Sequence, residues 1–498
     1  MNSRPIEKVV VLGGGSAGFI AALALKVKMP ELQVRVIRSK DIGVIGVGEG
    51  STIALTRYLH DYLKVSPRRF HETTGATWKL GLKFLWGPRS HFHYTFSTGL
   101  TDRLQTLPKA NAFYCEDQME YEDPISAMMG HDRVFERAAG GGPKFHNHFS
   151  YHFENEKFVA FLEAYAVAKG VRIVEGTVAE APLDENGIVS LILQDGQQES
   201  ADLYVDASGF TSLLLGRKLA EPFKSFGSSL FCDRAVVGGW TRTDEVIKPY
   251  TTCETMGAGW AWQIEHETRI NRGYVYCSGF ISDEDAEQEF RRLNPKLGPT
   301  RVVPFRSGRH ERSWVKNVVA VGNASGFVEP LEATALGVVA MQSRLLADTL
   351  LDCDRQPPPT ALREYNNHHA RSWDCIRDFI AVHYKFNTRL DTPFWQHCRE
   401  TTDIGAAQRI VEVYQENGPT SHWAPTLFDP FDPFQQVGYV AMLVGQKVPY
   451  HKSYSPSAGH LRLLEKQRQH YQTAALRAMT VQEALAAIRH PKWKWMQS

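Results

Sequence analysis

The sequence predicts an α/β (α+β) chain organised around a parallel sheet. Three observations predict it. The stretches 9–18, 203–209 and 318–326 each join a short apolar strand to a turn of small residues. Residues 223–310 are rich in alternating, strand-like segments, and beyond about 340 the chain becomes helical and aromatic. Strand-to-helix switches that recur along a chain point to parallel strands with helices packed on them. The expected division is a domain over 1–340 with an interleaved sheet, its 61–150 and 223–310 parts facing a substrate, and a helical subdomain over 341–498 that covers it.

The first switch is KVVVLGGGSAGFIAALAL, residues 8–25. Val9, Val10, Val11 and Leu12 read as a buried strand. Gly13, Gly15 and Gly18 fall at the positions of a dinucleotide-binding turn, with Ser16 and Ala17 opening an Ala/Leu-rich helix. In such a turn the first glycine permits the bend and the second lets the backbone approach a pyrophosphate. The third lets helix pack on strand, and the helix N-terminus offers N–H donors to the phosphates. The bland alternative is a glycine-rich turn that binds nothing. After the second strand, 33–37, an acidic residue would ordinarily hold a ribose hydroxyl, but the tip reads Arg38-Ser39-Lys40. Arg38 and Lys40 suit a 2′-phosphate of NADP, or the site is an FAD site without its carboxylate.

IGVGEGST, 45–52, reads as a backbone strap against something flat, with Gly48 and Glu49 at its centre and Ser51 or Thr52 capping the next helix. An ordinary loop and cap fits equally well. In TWKLGLKFLW, 77–86, Trp78, Leu80, Leu82, Phe84 and Trp86 share one strand face and Thr77, Lys79, Gly81 and Lys83 the other. Taken alone, Lys79 is then a solvated lysine on an outer face. Residues 87–150 look loop-rich. Their His91, Phe92, His93, Tyr94 and Phe96 suit either stacking on a flat substrate or core packing.

A helix is expected over 158–168, a strand over 171–174, and an apolar strand over 203–206 ending in Asp206. Trp260, Trp262 and Ile264 alternate, so both indoles leave one face of one strand, which core packing also explains. In NVVAVGNASGFVEPLEA, 317–333, a strand runs into a small-residue turn holding Gly322 and Gly326, and a helix starts near Thr334. The prolines 357–359 separate two later helices, and a Pro/Asp/Phe-rich loop spans 425–434.

Bulk properties exclude several classes. A net charge of +1 gives no field for nucleic acid or an anionic membrane, and no apolar run approaches the roughly 20 residues of a membrane span. The N-terminus leads directly into the first strand, which leaves no room for a signal peptide. The seven scattered cysteines include no CxxC, as expected of reduced thiols in a cytoplasmic protein, and no histidine spacing suggests a metal site.

The three switches together resemble the FAD-binding half of aromatic-hydroxylase-type flavin monooxygenases. More specifically, the chain resembles the flavin-dependent halogenases of the tryptophan halogenase family. The matching motifs are GGGSAG (13–18), IGVGEGS (45–51), TWKLGLKF with Lys79, YHFENEKFVAFL (151–162) and GWAWQI (259–264). They continue in GFVEPLEAT (326–334), YNNHHARSWDCIRDFIAVHYK (365–385) and DTPFW (391–395), all in family order.

The resemblance implies FAD, delivered reduced by a separate reductase, and a halide ion. It implies hypohalous acid relayed to Lys79, which halogenates a small electron-rich aromatic. Glu332 matches the family's essential glutamate, Trp260 and Trp262 its paired tryptophans, and Thr334 and Ala335 its halide turn. Tyr94 and Phe96 then face substrate, while Gly13, Gly15, Ser16, Ala17, Gly18, Arg38, Gly48, Glu49, Asp206, Gly322 and Gly326 line FAD. The enzyme is expected as a monomer or homodimer.

Three departures stand out: Glu265 where the family's WxWxIP pattern has proline, Ala335 where many relatives have glycine, and no C-terminal tyrosine pair to clamp an amino acid. The missing tyrosine pair favours indole or an indole derivative over free tryptophan, and the altered turn at Ala335 favours bromide at least as readily as chloride. The competing readings are an FAD-dependent aromatic monooxygenase and a non-catalytic flavin-binding protein.

Overall fold

A computed structural model describes residues 4–40, 42–43, 48–97, 113, 119, 122–419, 424–451 and 455–495. Ile45, Gly46 and Val47 of the strap lie outside them. The chain forms two compact units. The first comprises 1–75, 153–227 and 305–374, and the second 76–152, 228–304 and 375–498. The boundary expected near 340 falls inside the helix Ala335–Asp352, and the first unit continues to Asp374.

The first unit is built on a six-stranded sheet in the order Arg172–Glu175, Gln33–Arg38, Lys8–Leu12, Leu203–Asp206, Val318–Ala320, Trp314–Val315. All pairs are parallel except the last. The three switch strands are therefore adjacent. Leu12 pairs with Asp206, and Asp206 with Ala320, so the three small-residue turns leave the same carboxyl edge. That edge is where open α/β sheets bind ligands. The helices Asn155–Ala168 and Ala335–Asp352 pack against Ser16–Lys28, whose residues from Gly18 to Leu25 are all buried.

The second unit holds a seven-stranded sheet ordered Arg301–Pro304, Arg234–Thr241, Arg269–Tyr276, Gly259–Glu265, Thr251–Met256, Gly81–Leu85, Phe92–Thr95. Two sequence expectations are revised here. The segment 77–86 is two strands, Thr77–Lys79 and Gly81–Leu85, each in a different sheet. Between them Leu80 N–H donates to the Pro249 carbonyl, and a Cβ at Gly81 would come within 2.2 Å of the Tyr94 carbonyl oxygen. The chain changes sheets at this point because glycine allows that approach. In the region expected to be loop-rich, Phe92–Thr95 is an edge strand paired antiparallel with Gly81–Leu85, and Pro124–Gly130 is a helix.

Candidate functional site

The glycine turn fits a dinucleotide. Gly13 has φ +129°, and a Cβ there would lie 2.3 Å from the Ala207 carbonyl oxygen. A Cβ at Gly18 would lie 1.9 Å from the Gly13 carbonyl oxygen, so this glycine permits helix-on-strand packing. A Cβ at Gly15 would meet nothing within 4 Å. The backbone there borders open space, as a pyrophosphate requires. Gly15 also occupies the N-cap of Ser16–Lys28 with no side chain capping it, and no acidic residue enters the first turn. Ser16 Oγ donates to Asn155 Oδ1 at 3.1 Å, which pins the helix start.

The other expected cofactor residues separate into two kinds. Gly322, at φ +59°, packs its turn against the first: a Cβ would lie 3.1 Å from the Ala17 Cβ and 3.0 Å from Val339 Cγ2. Gly326 sits in a short strand against Arg309 and Gly308. Asp206 is fully buried, and its carboxylate accepts from Ser208 N–H and Oγ and from the N–H groups of Leu214 and Leu215, at 2.6–3.1 Å. Its oxygens hold the second turn together, so Asp206 would act on a cofactor only through that turn.

Arg38 is engaged by two carboxylates, Glu163 and Glu175. Lys40 is exposed and also meets Glu175. With both carboxylates on Arg38, the basis for reading a 2′-phosphate site is gone. Gly48, at φ +74°, precedes Glu49, whose carboxyl burial pushes up to about 7. A Cβ at Gly337 would lie 3.2 Å from Thr52 Oγ1, so the strap ends against the first turn of Ala335–Asp352. Thr52 sits at the cap position of its own helix, Ile53–Arg57, without a side-chain cap bond.

Glu332 closes a 3₁₀ turn, Pro330–Glu332, and is 2% exposed. Ala333 takes a left-handed conformation at φ 52°, and Thr334 then caps Ala335–Asp352 without a side-chain hydrogen bond. The Thr334 side chain therefore does not cap the backbone N–H groups of that first helical turn.

In the second unit Lys79 is fully buried, which overturns its reading as a solvated outer-face lysine. Its Nζ lies 5.5 Å from the Phe96 ring centroid, within cation–π range. Thr77–Lys79 pairs antiparallel with Ser150–Phe153, with Thr77 opposite His152 and Lys79 opposite Ser150. Trp260 and Trp262 are both buried, their rings 6.0 Å apart at 54°. Tyr94 takes a different place from Phe96. Its ring packs near Phe379, and its hydroxyl lies 3.0 Å from where a Gly438 Cβ would be.

Sequence reasoning passed over a polar group beside Lys79. Thr77 Oγ1 donates to the Glu265 carbonyl at 2.6 Å, Arg242 Nη2 to Glu265 Oε2 at 2.5 Å, and His152 Nε2 meets Thr251 Oγ1 at 2.8 Å. Its one visible signal was Glu265 standing in place of proline.

The family model for tryptophan halogenases matches residues 8–461. The chain belongs to the tryptophan halogenase family. It is a flavin-dependent halogenase, an oxidoreductase. It is 31% identical over 467 residues to tryptophan 7-halogenase RebH of Lentzea aerocolonigenes, covering 86% of each chain. Among solved structures it is similar to MibH, a lanthipeptide tryptophan 5-halogenase, with TM-score 0.86, 36% identity, and 98% and 94% of the two chains covered. It is also similar to BrvH, a flavin-dependent halogenase from Brevundimonas sp. BAL3, with TM-score 0.84, 28% identity, and 97% and 99% covered. Among the described residues no helix is long and apolar enough to cross a membrane.

Proposed function

We propose that this halogenase acts on the indole ring of a substrate other than free tryptophan, using Lys79 to hold the halogenating species and Glu332 to take the ring proton. Bromide serves at least as readily as chloride. Reduced FAD, supplied by a separate reductase, would provide the two electrons with which dioxygen and halide become hypohalous acid and water. The turn 13–18 would hold its pyrophosphate, and the strap and the turn at Thr334-Ala335 would keep halide near it. The alternative roles, an aromatic monooxygenase or a non-catalytic flavoprotein, leave Lys79 without a purpose.

The observation that carries this reading is the complete burial of Lys79 with its Nζ near the Phe96 ring. A lysine is rarely taken fully out of water unless its charge or amine is used. There the ammonium donates a hydrogen bond to hypohalous acid and polarises the O–halogen bond. The ring carbon takes the halogen and the oxygen leaves as water. A carboxylate then accepts the proton lost on rearomatisation.

The substrate reading is supported by the helix Gln435–Gly445. Its one tyrosine, Tyr439, is buried and engaged by Asp432, and Gly438 precedes it. No pair of tyrosines is offered there to clamp a free amino acid. The likeness to MibH, a lanthipeptide tryptophan 5-halogenase, adds weight to a tryptophan residue within a peptide as one such indole derivative.

The test supplies reduced FAD from a reductase, dioxygen and each halide in turn to indole, free tryptophan and a tryptophan-containing peptide, and reads products by mass. Halogenated indole or peptide is expected, with Lys79→Ala and Glu332→Gln each lowering the rate by about 10²–10⁴-fold. Hydroxylated product in halide-free buffer, unaffected by Lys79→Ala, would establish the monooxygenase instead. Free tryptophan outrunning both other substrates would overturn the substrate assignment.

A further inference from the structure

Glu265 is buried to 1% exposure and Arg242 to 6%, and the two form an ion pair of 2.5 Å. The pair ends a polar ladder on the sheet face opposite the two tryptophans. Arg272 Nη2 donates to Glu254 Oε2 at 2.6 Å and Nη1 to Gln263 Oε1 at 2.8 Å, and Gln263 Nε2 donates to Glu265 Oε1 at 2.6 Å. Arg242 is further fixed by the carbonyl groups of His266, Glu245 and Val246. The last rung meets the strand of Lys79, because Thr77, two residues before it on the same face, donates to the Glu265 carbonyl.

Among the described residues, His152, His266 and Arg242 are basic groups of the same neighbourhood as Lys79. His152 is the diagonal neighbour of Lys79 on the adjacent strand Ser150–Phe153. Burial, then Lys79, His266 and Arg242, together hold the His152 imidazole far below its ordinary range. Glu265 is the carboxylate that answers Arg242 within this group. The helix Val481–Arg489, which also packs on the strand Thr77–Lys79, brings Glu483 and Arg489. These are ion-paired with Arg137 and Glu267.

We propose that Glu265, clamped by Arg242, is a positioning residue for Lys79. Its carbonyl fixes the strand through Thr77, and its carboxylate cancels the Arg242 charge so that a second buried cation is tolerated at Lys79. Taking the carboxylate charge away leaves a buried guanidinium uncompensated in the neighbourhood of His152, where the Lys79 charge also acts. Taking both partners' charges away relieves that repulsion. The proposal gives a purpose to the glutamate that stands where the family pattern has proline, and it rests on Lys79 being the residue that holds the halogenating species.

The experiment uses the full-length enzyme with FAD, a flavin reductase, bromide and indole, in the presence of a 1,3-diketone that traps free hypohalous acid. Glu265→Gln is expected to lower kcat for halogenated indole roughly tenfold with KM within about twofold, and to raise the share of oxidant reaching the trap about threefold or more. The double variant Arg242→Gln/Glu265→Gln is expected to recover both quantities to within about threefold of the unaltered enzyme. A merely structural role gives the reverse order, with the double variant worse than the single. That order, or a trap share unchanged in Glu265→Gln, overturns the proposal. Lys79→Ala in the same assay separates the two levels. If it halogenates indole as the unaltered enzyme does, the relay reading itself fails. If it is inactive while Glu265→Gln behaves normally, only the positioning role fails.

Discussion

Trp262 lies over Gly273, its register partner on the neighbouring strand: a Cβ at Gly273 would fall 2.1 Å from Trp262 Cζ2. The missing side chain is what lets the indole lie flat on the sheet, 6.0 Å from Trp260. Gly273→Ala should therefore displace Trp262 and cost about 1–3 kcal/mol by overpacking. If the paired indoles separate substrate from flavin, the variant will also form hydroxylated by-product. Denaturant midpoint and product masses check the two effects, and an unchanged midpoint would show that the sheet accommodates the methyl.

Two glycines of the first turn should fail in different ways. Gly15 borders open space and its φ of −88° suits alanine, so Gly15→Ala should fold normally. Its methyl would stand in the path of a pyrophosphate, weakening FAD by about tenfold or more, which is about 1.4 kcal/mol. Gly18→Ala puts its methyl 1.9 Å from the Gly13 carbonyl oxygen and should lose about 1–3 kcal/mol of stability instead. Flavin titration and denaturant unfolding of both variants check the split. Equal FAD affinity in Gly15→Ala would mean that the open space is not the phosphate path.

His93 should make the protein acid-sensitive. It is 4% exposed, and burial, then His91 and Lys83, pushes its imidazole down to about 3. The unfolded chain takes up a proton near pH 6.5 that the folded one refuses until about 3. Stability is thus complete above 6.5 and lost as pH falls through that window, at about 1.4 kcal/mol per unit, or about 2 kcal/mol by pH 5. His93→Leu should remove this part of the pH slope. His60, His146, His152 and His369, whose imidazoles burial also lowers, keep the rest. Equal slopes for the variant and the unaltered protein between pH 5 and 7 would refute the assignment.

What the sequence made legible is what is local. The run Val9–Leu12 and the glycines after it carry their own reasons, and so do the three small-residue turns that the parallel sheet brings to one edge. The break at Leu80 was not legible, because the alternation of apolar and polar residues continues straight through it. The partners that end the strand, Pro249 and Tyr94, come from other parts of the chain. Lys79 looked solvated for the same reason: alternation places a side chain on a face but does not say what covers that face. Glu265 and Arg242 are 23 positions apart, and Thr77 is 188 residues from Glu265, so only the folded sheet shows that one residue serves both. Asp206 has a structural use that the sequence did not show. A carboxylate at a strand end suits a ligand, but here the turn that follows uses its oxygens.

Ala335 should bias the choice of halide. It opens the helix Ala335–Asp352 after the left-handed Ala333, where backbone N–H groups have no side-chain cap. Chloride is the more strongly hydrated of the two halides, so it needs closer contact with those donors to offset the water it sheds. A methyl at the helix start holds an anion back and makes the surroundings less polar, which penalises chloride more than bromide. Ala335→Gly should then raise chlorination relative to bromination by about fivefold, which corresponds to about 1 kcal/mol of helix-terminus interaction. The cost to the helix is about 0.5–1 kcal/mol. Competition between equal concentrations of the two halides, read as the ratio of chlorinated to brominated indole, checks this. A ratio that stays constant while total turnover falls would mean that the methyl affects only the helix and not the anion.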